Sequence, residues 1–364
     1  MSNQSNPSEF FSSRPRIFID GQEQQSLQDR LISMTVEERI DGNQDCIVSL
    51  DNWGAVDENS GYLYFDRALL DFGRTITIRA GHQDAEREIF RGRIVILEGN
   101  FPSSQSPEIT IHGEDRLQDL RMTRRTRSFT GISESDVIRQ IAMEHGLTSV
   151  IDIQGTIHPV LAQVNQTDLA FIRNRARAVD AELWIEGDTL YAMTHFQRNS
   201  GEVVLTYGED LLELSIKADL TGQCTSLTVS GWDNNKSELS FQAGEEEIEN
   251  ELHGHKSGSE ILQETIGLRD EQIVHQFPNN LQEAQTLAQS FYRSTARKFV
   301  NGQGVCQGDA RIRVGTHLEI QGIGELFNGK YYVIESRHTF TQRDGYLTHF
   351  NLERPGLGPE IDIN

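Results

Sequence analysis

Cysteine is scarce in this chain. Its 364 residues include three cysteines, Cys46, Cys224 and Cys306, which are odd in number and far apart. A disulfide framework requires an even set of cysteines at recurring spacings, so the sequence predicts none. Unpaired, widely spaced thiols are typical of proteins made in the cytosol.

Long apolar runs are also missing. No run approaches the roughly 20 residues that a membrane-spanning helix needs, and direct membrane insertion is therefore not expected. The first sixteen residues, MSNQSNPSEFFSSRPR, lack the basic-then-apolar order of a secretory signal. We interpret residues 1–16 as a flexible N-terminal arm.

Positive charge is in deficit, because 55 acidic residues face 33 basic ones and the formal charge is -22. A nucleic-acid-binding surface needs a basic stripe that displaces counterions from phosphates. The only basic cluster, residues 121–127, is short and has no interleaved aromatic residue, so we interpret it as a solvated linker or a contact with an acidic neighbouring subunit. Sequence-specific nucleic-acid binding is not expected, although an acidic channel wall would let such cargo pass without sticking.

Recognisable catalytic and metal-binding motifs are missing as well. There is no G-x-S-x-G, Walker or dinucleotide-binding motif. His253 and His255 lack further ligands at zinc spacing. Glu98 and Glu335 could suggest a glycosidase carboxylate pair, but they occupy equivalent places in two copies of a pattern, which favours a structural role such as pairing with Arg93 or Arg337. His338 alternates with apolar residues, which favours a hydrogen-bonded core or interface histidine over a general base. We expect no enzyme activity, no cofactor and no metal.

The pattern that is present is β-structure near the C-terminus. Residues 311–354 read as three strands separated by two turns. The dipeptides Asn328-Gly329 and Asp344-Gly345 are typical of tight turns, because these residue types tolerate positive φ. Gly329 and Gly345 are therefore predicted turn positions.

A similar pattern occurs near the N-terminus. Each block has a glycine before alternating apolar residues, a Phe-x-Gly followed by a basic residue, a glutamate, and an apolar-Thr pair. The matching positions are Gly73, Ile76, Ile78, Phe90, Gly92, Arg93, Glu98, Ile109 and Thr110, and then Gly315, Leu318, Ile320, Phe327, Gly329, Lys330, Glu335, Leu347 and Thr348. The spacing from Phe to Glu is identical, which predicts two copies of one small β-barrel with equivalent turns at Gly92 and Gly329. The alternative is a chance match of short β patterns.

Helical patterns separate and interrupt the two copies. Ser133 and Asn280 are predicted N-caps, and another helix is predicted to start at Thr167. The fold class is α+β and β-dominated, with two related tube-like β-barrel domains. The predicted parts are an N-terminal arm (1–16), a first β-barrel domain (17–124), an inserted α+β module (125–200), a second β-barrel domain (201–235 and 301–354), an acidic excursion with a helix (236–300) and a C-terminal tail (355–364).

Two segments resemble a known family. Residues 163–176, with the pattern Q-x-x-Q-T-D-L-A-F-I-R-x-x-A, resemble the signature of the phage late control protein D family, and the terminal block resembles its closing segment. These are hub proteins of contractile phage tails, related to the hub part of the VgrG spikes of type VI secretion. The resemblance covers about residues 17–354. It departs at Asp180, where the family often has glycine, and a VgrG chain continues into a β-helical spike whereas this sequence stops ten residues after Arg354.

The resemblance implies a structural role in a baseplate. A homotrimer would join the hexameric inner tube to a separate trimeric spike, contact other baseplate proteins, and act as a symmetry adapter. It would be made in the bacterial cytoplasm and incorporated into a phage tail or an extracellular or cell-associated injection particle. Leu357, Ile361 and Ile363 are apolar residues in a tail too short to fold alone. They fit a contact with the spike, and the alternative is a frayed terminus with no role.

Two other functions remain open from the sequence. A tail-associated cell-wall hydrolase would need a convergent acid and base in a cleft. A monomeric receptor- or carbohydrate-binding β protein would need exposed aromatic platforms. The sequence does not separate a phage tail from a phage-derived injection system.

Overall fold

The computed structural model describes residues 14–56, 59–81, 86–232, 238–274, 278 and 280–358. Most of the predicted N-terminal arm, together with Ile361 and Ile363 of the tail, lies outside these residues. The fold class predicted from the sequence is confirmed, because the protein is α+β and strands predominate. A 13-stranded sheet, built from both ends of the chain, forms its centre.

The first part of the chain is almost entirely β. Its elements are β1 (Arg16–Ile19), β2 (Gln22–Glu23), α1 (Gln25–Asp29), β3 (Leu31–Arg39), β4 (Asp45–Asp51), β5 (Trp53–Val56), β6 (Asn59–Tyr62), β7 (Thr75–Ala80), β8 (Arg87–Asn100) and β9 (Glu108–Glu114). Strands β3-β4-β9-β8-β7-β1 lie side by side in that order, and their apolar faces enclose one core. Strands β5 and β6 form a separate hairpin.

The inserted module follows. It contains α2 (Leu117–Arg121), β10 (Arg124–Ile132), α3 (Glu134–Glu144), β11 (Thr148–Asp152), β12 (His158–Thr167), α4 (Asp168–Ala178), β13 (Ala181–Glu186) and β14 (Thr189–Thr194). Ser133 begins α3 and Thr167 begins α4, because each hydroxyl accepts a backbone N–H of the first helical turn. The apolar faces of both helices pack with β13 and β14 into a second core.

The rest of the chain contains a second β copy and a smaller sheet. The elements are β15 (Glu202–Thr206), β16 (Leu211–Ala218), β17 (Ser226–Trp232), β18 (Glu238–Ala243), two 3-10 turns (Glu245–Glu247 and Glu249–Glu251), β19 (Lys256–Ser257), α5 (Gly258–Thr265), β20 (Asp270–Ile273), α6 (Leu281–Ala296), β21 (Val300–Gln307), β22 (His317–Gln321), β23 (Gly329–Thr341), β24 (Gly345–Arg354) and β25 (Gly356–Leu357). Strands β16-β21-β24-β23-β22-β15 lie side by side around a third core.

The excursion is larger and more ordered than predicted. Strand β17, which was assigned to the second barrel, pairs instead with β18 and β20, and α6 covers this sheet. Asn280 caps α6 as predicted, since its side chain accepts the N–H of Glu283. The helix ends at Ala296.

The two β copies are joined edge to edge. Strand β22 pairs with β23 only as far as Tyr332, which leaves residues 335–341 of β23 with one open edge. Strand β3 fills that edge in antiparallel register, from Arg39 opposite Glu335 to Ser33 opposite Thr341. The sequence pattern did not predict this junction.

The copies correspond closely, but not in the register that the sequence pattern suggested. Gly73 donates to Ile94 and Gly315 donates to Val333, and both glycines have positive φ. The next residue in each long strand is a bulge, between Ile94 and Ile96 in β8 and between Val333 and Glu335 in β23. Counting back from these bulges, the counterpart of Gly92 is Tyr331.

The predicted turn at Gly92 is therefore wrong. Gly92 lies inside β8 opposite Ile76 and has no positive φ. It is glycine because a Cβ there would lie 2.2 Å from the carbonyl oxygen of Glu114. Gly329 has a φ of +126° at the start of β23, and Gly345 has a φ of +70° where the β23–β24 turn enters β24.

Candidate assembly site

One face of the joined sheet is predominantly polar. Along β3 the buried side chains of Met34, Val36 and Glu38 alternate with half-buried Thr35 and Glu37 on the other face. Cross-strand pairs carry this face through eight neighbouring strands, and carboxylates outnumber cations on it. The charged side chains on this face are Glu213, Lys217, Glu353, Glu335, Arg337, Arg39, Glu37, Asp45, Asp51, Glu114, Glu108, Arg93 and Glu98.

Carboxylates crowd together where the copies meet. Burial and the neighbouring Glu37 raise the pKa of Glu335 above its ordinary value. Arg39 offsets this repulsion, since it pairs with Glu37 and its Nε lies 3.7 Å from Glu335. Asn351 donates to the other oxygen of Glu335 over 2.9 Å. The junction thus places two carboxylates and a compensating arginine side by side on the polar face.

The paired-carboxylate hypothesis does not fit this arrangement. Strands β3, β4 and β9 lie between the strands that carry Glu335 and Glu98. At ~4.8 Å between neighbouring strands, the two carboxylates are on the order of 19 Å apart along the sheet. Glycosidase pairs are separated by about 5 to 9.5 Å. His338 is buried among hydroxyl groups, so it is not placed to serve such a pair.

A buried charge network holds the module against the junction. Glu38 of β3 accepts from Arg198 over 2.9 Å, and the same guanidinium donates to Glu182 of β13 over 3.0 Å. Glu182 also accepts from the hydroxyl of Tyr332 on β23 over 3.0 Å. Burial by itself would raise the pKa of Glu38, but Arg313 and Arg198 hold it below its ordinary value. First copy, module and second copy are therefore linked through one set of ion pairs.

Asp180 supplies a second anchor. Its φ is +56°, so it takes the left-handed position that glycine often occupies in the family it resembles. Its carboxylate receives two hydrogen bonds, of 2.6 and 2.8 Å, from buried Arg297 just after α6. Glu251 binds the other side of the same guanidinium. Aspartate thus fits the backbone at this position and also ties the module to the excursion, a role that the sequence pattern did not reveal.

Several strand edges are open among the described residues, and two of them, on β8 and β16, bound the polar face. Residues 95–100 of β8 pair with β9 on one side only, because β7 ends its pairing at Arg93. Strand β16 pairs with β21 alone and forms one end of the sheet. Both edges bear exposed apolar side chains, among them Ile96 and Leu212. Open edges with apolar side chains are templates for a further strand.

An exposed aromatic cluster lies beside the open part of β8. Tyr62 of the β5–β6 hairpin contacts Trp53, Phe65 and Phe101, and Phe65 also contacts Phe101, with ring centroids 5.1 to 6.0 Å apart. All four side chains are exposed. A contiguous patch of exposed apolar side chains is typical of a binding surface, whereas single exposed apolar side chains are common on any protein surface. Sequence reasoning missed this cluster because the hairpin has no regular alternation.

The start of the C-terminal tail is held by its own chain. Leu357 pairs with Lys256 through β25 and β19 and packs against the core of the second copy. His255 lies 2.5 Å from the carbonyl oxygen of Gly358 through Nδ1. The argument that the tail needs a partner to become ordered does not apply to Leu357.

Comparison with known proteins identifies a family. The model of the family described as the Alg8 N-terminal domain matches residues 13–342. The chain belongs to this family. A search of curated proteins finds no significant match to the sequence.

Solved structures show that the chain has the fold of phage tail proteins. The 43 kDa tail protein of prophage MuSo2 from Shewanella oneidensis matches with a TM-score of 0.69 at 10% identity, over 94% of this chain and 98% of that one. A tail protein from Neisseria meningitidis matches with a TM-score of 0.68 at 11% identity, over 95% and 97%.

A third solved structure has the same fold. It is an Escherichia coli component of the type VI secretion system, described as structurally similar to the T4 bacteriophage tail proteins gp27 and gp5. It matches with a TM-score of 0.56 at 10% identity, over 91% of this chain and 76% of that one.

The residues that the structure describes contain neither a candidate metal cluster nor a helix that could span a membrane. No group of three or more histidine, cysteine, aspartate or glutamate side chains there is arranged to hold a metal ion. None of the helices in that part is long and apolar enough to cross a membrane.

Proposed function

We propose that this protein is the baseplate hub of a contractile phage tail or of a phage-derived contractile injection system. Three copies form a ring that joins a hexameric inner tube to a separate trimeric spike. Other baseplate proteins surround the ring. The hub adapts the sixfold symmetry of the tube to the threefold symmetry of the spike and encloses a channel. It catalyses no reaction.

The observation that carries this proposal is the internal repeat. Two six-strand units with the same strand order, and with matching bulges in β8 and β23 and in β3 and β16, lie edge to edge in one chain. Three such chains present six similar units, which match a sixfold tube, while the chain as a whole keeps the threefold symmetry of a spike. Neither a cell-wall hydrolase nor a monomeric binding protein requires the duplication.

The fold comparison and the polar face support the same function. The matching structures are tail proteins and a type VI secretion component, and they cover nearly the whole chain. The acidic polar face of the sheet suits the wall of a channel, since a wall of net negative charge does not retain nucleic acid or acidic cargo.

The test is the copy number of the hub in particles. Native mass measurement of hub released from purified particles is expected to give three chains. Particles that contain single, unassociated chains would overturn the proposal. Isolated protein dissociates at low concentration by mass action, so mass measurement on isolated chains is made over a concentration series. Neighbouring tube, sheath and spike genes without capsid genes would identify an injection system.

A second function is favoured by one observation. The aromatic cluster of Trp53, Tyr62, Phe65 and Phe101 is the kind of platform on which a monomeric carbohydrate- or receptor-binding protein stacks its ligand. That function predicts a monomer at every concentration and binding to sugars or cell envelopes. Sedimentation of the purified protein separates it from the hub.

A further inference from the structure

The exposed aromatic cluster has no cover among the described residues. Ring contacts join its four side chains into one patch, made by Trp53, Tyr62, Phe65 and Phe101. These residues are between 37 and 61% exposed. A contiguous apolar patch of this kind is typical of a surface that binds an apolar partner. One or two aromatic side chains would suit it, because aromatic rings pack edge to face or in offset stacks.

The cluster is held in place by the strand and the loop beneath it. Gly99 of β8 lies under Phe65 and Phe101, since a Cβ on this glycine would come within 3.1 Å of both rings. Tyr64, the residue before Phe65, is buried, and its backbone N–H donates to Oδ1 of Asn52 over 2.8 Å. A partner therefore binds to rings that are already positioned, and it pays little entropy to order them.

The described chain begins close to this cluster. Arg14 donates to the carbonyl oxygen of Gln28 in α1 over 3.3 Å. Two residues after Gln28, Arg30 donates to the carbonyl oxygen of Trp53 over 2.9 Å. The hydroxyl of Tyr64 also donates to a carbonyl oxygen of α1 over 3.3 Å. One short helix thus separates Arg14 from the aromatic cluster.

The thirteen residues before Arg14 are long enough to reach the cluster. Fully extended, they span up to about 43–47 Å. The helix between Arg14 and the cluster is about 10–12 Å across. The aromatic side chains of this segment are Phe10 and Phe11, four and three residues before Arg14. Because three or four residues span up to about 10–14 Å, both phenylalanines can cross α1 and meet the cluster.

We propose that the N-terminal segment, residues 1–13, folds back over α1 and that Phe10 and Phe11 bind to the aromatic cluster of the same chain. The segment acts as an intramolecular cap on this surface. A sugar, a receptor or another protein that binds the cluster must first displace the cap. The contact lies within a single chain, so it does not depend on the number of chains in the hub.

Charge and tethering favour this segment over other occupants. Glu9 is the only charged side chain in residues 1–13. The whole chain has a formal charge of -22, so a second copy or an acidic partner would meet more electrostatic repulsion here than the nearly neutral segment does. A segment of the same chain also binds at the high effective concentration that its tether sets.

Proteolysis of the full-length chain tests the contact. Chymotrypsin cuts after aromatic residues, and it reaches Phe10 and Phe11 only while the segment is released. When release is fast relative to cleavage, the cutting rate follows the released fraction. Phe101→Ser removes one ring of the cluster and leaves the segment unchanged. It is expected to raise the cutting rate at Phe10 and Phe11 about 2- to 10-fold, the factor that corresponds to one lost aromatic contact.

The matched control is Phe72→Ser. Phe72 is 54% exposed, similar to Phe101, and among the described rings it makes no contact with the cluster. The control is expected to be cut at the rate of the unchanged chain, with the cuts assigned by mass analysis of the released peptides. Equal cutting rates in the unchanged chain, in Phe101→Ser and in Phe72→Ser would overturn the proposal.

The reciprocal variant, Phe10→Ser/Phe11→Ser, separates a bound segment from a free one by the sign of its effect. If the two rings cover the cluster, their loss exposes it, and fluorescence of the apolar dye anilinonaphthalene sulfonate rises although the chain has lost two aromatic side chains. A dye signal that stays the same or falls would show that the segment is free and would overturn the cap.

Protein concentration identifies the occupant. A cap within one chain protects Phe10 and Phe11 from chymotrypsin equally at every concentration. Protection that disappears on dilution would assign the contact to a second copy and overturn the proposal. The copy number of the hub in particles is measured separately, so failure of the cap leaves the hub proposal untouched, and a hub that is not trimeric leaves the cap untouched.

Discussion

At the residue scale, His338 is a histidine whose environment opposes its charge. It is fully enclosed in the second copy, and the hydroxyl groups of Tyr346 and Thr348 lie 2.8 and 3.1 Å from its Nδ1. Burial lowers its pKa from 6.5 to about 4, against the opposite effect of nearby Glu38. The structural role that the sequence favoured for this residue agrees with these contacts, which are those of a neutral core imidazole.

His338 is predicted to make the protein acid-sensitive between about pH 6.5 and 4. In this range the unfolded chain binds a proton at this position and the folded chain does not, so stability falls as pH falls. The loss approaches ~1.4 kcal/mol per pH unit. In His338→Gln the free energy of unfolding is expected to depend less steeply on pH over this window. Denaturant unfolding at half-unit pH steps measures this, and parallel curves for the two proteins would contradict the assignment.

Gly92 is predicted to be intolerant of any side chain. A Cβ there would meet the carbonyl oxygen of Glu114, so Gly92→Ala is expected to cost ~1–3 kcal/mol of unfolding free energy. The matched control is Gly222→Ala, at a site where a Cβ meets nothing within 4 Å and φ is not positive. The control is expected to be neutral or stabilising by up to ~1 kcal/mol. Equal thermal stability of the two variants would refute the close-approach explanation.

At the element scale, the sequence predicted helix starts and individual strands, but it did not predict which strands pair with each other. The caps at Ser133 and Asn280 and the strand β7 follow from a few neighbouring residues, and the structure contains each of them. Strand β17 has the same alternation as a barrel strand, so its pattern did not reveal that it pairs with β18 and β20. Alternation reports which face is buried, and it does not report the partner strand.

The two-residue error in matching the copies has the same origin. Side chains in a strand repeat every two residues, so a shift of two leaves every inward and outward position unchanged. The pattern Phe-x-Gly therefore aligned Gly92 with Gly329 without conflict. Only the bulges and the hydrogen bonds from Gly73 and Gly315 distinguish the true counterpart, Tyr331.

At the scale of the whole molecule, the chain combines a near-symmetric sheet with asymmetric additions. The two β copies have the same strand order. They differ in the direction of one strand, because β1 is antiparallel to β7 whereas its counterpart β15 is parallel to β22. The module and the excursion are attached at one junction through Glu182, Asp180 and Arg297. In the proposed hub the sheet would meet the sixfold partner, while the additions repeat only three times.

The last prediction concerns the C-terminal tail. Because Gly356 and Leu357 pair with β19, and Leu357 packs against the core of the second copy, truncation after Pro355 removes contacts within the chain, whereas truncation after Gly358 removes residues 359–364 alone. If Ile361 and Ile363 bind the spike, the shorter truncation is expected to keep the ring and the tube contact and to reduce the amount of spike that co-purifies. The longer truncation should add a loss of thermal stability. Undiminished spike retention after removal of residues 359–364, with the ring mass unchanged, would place the spike contact elsewhere on the hub.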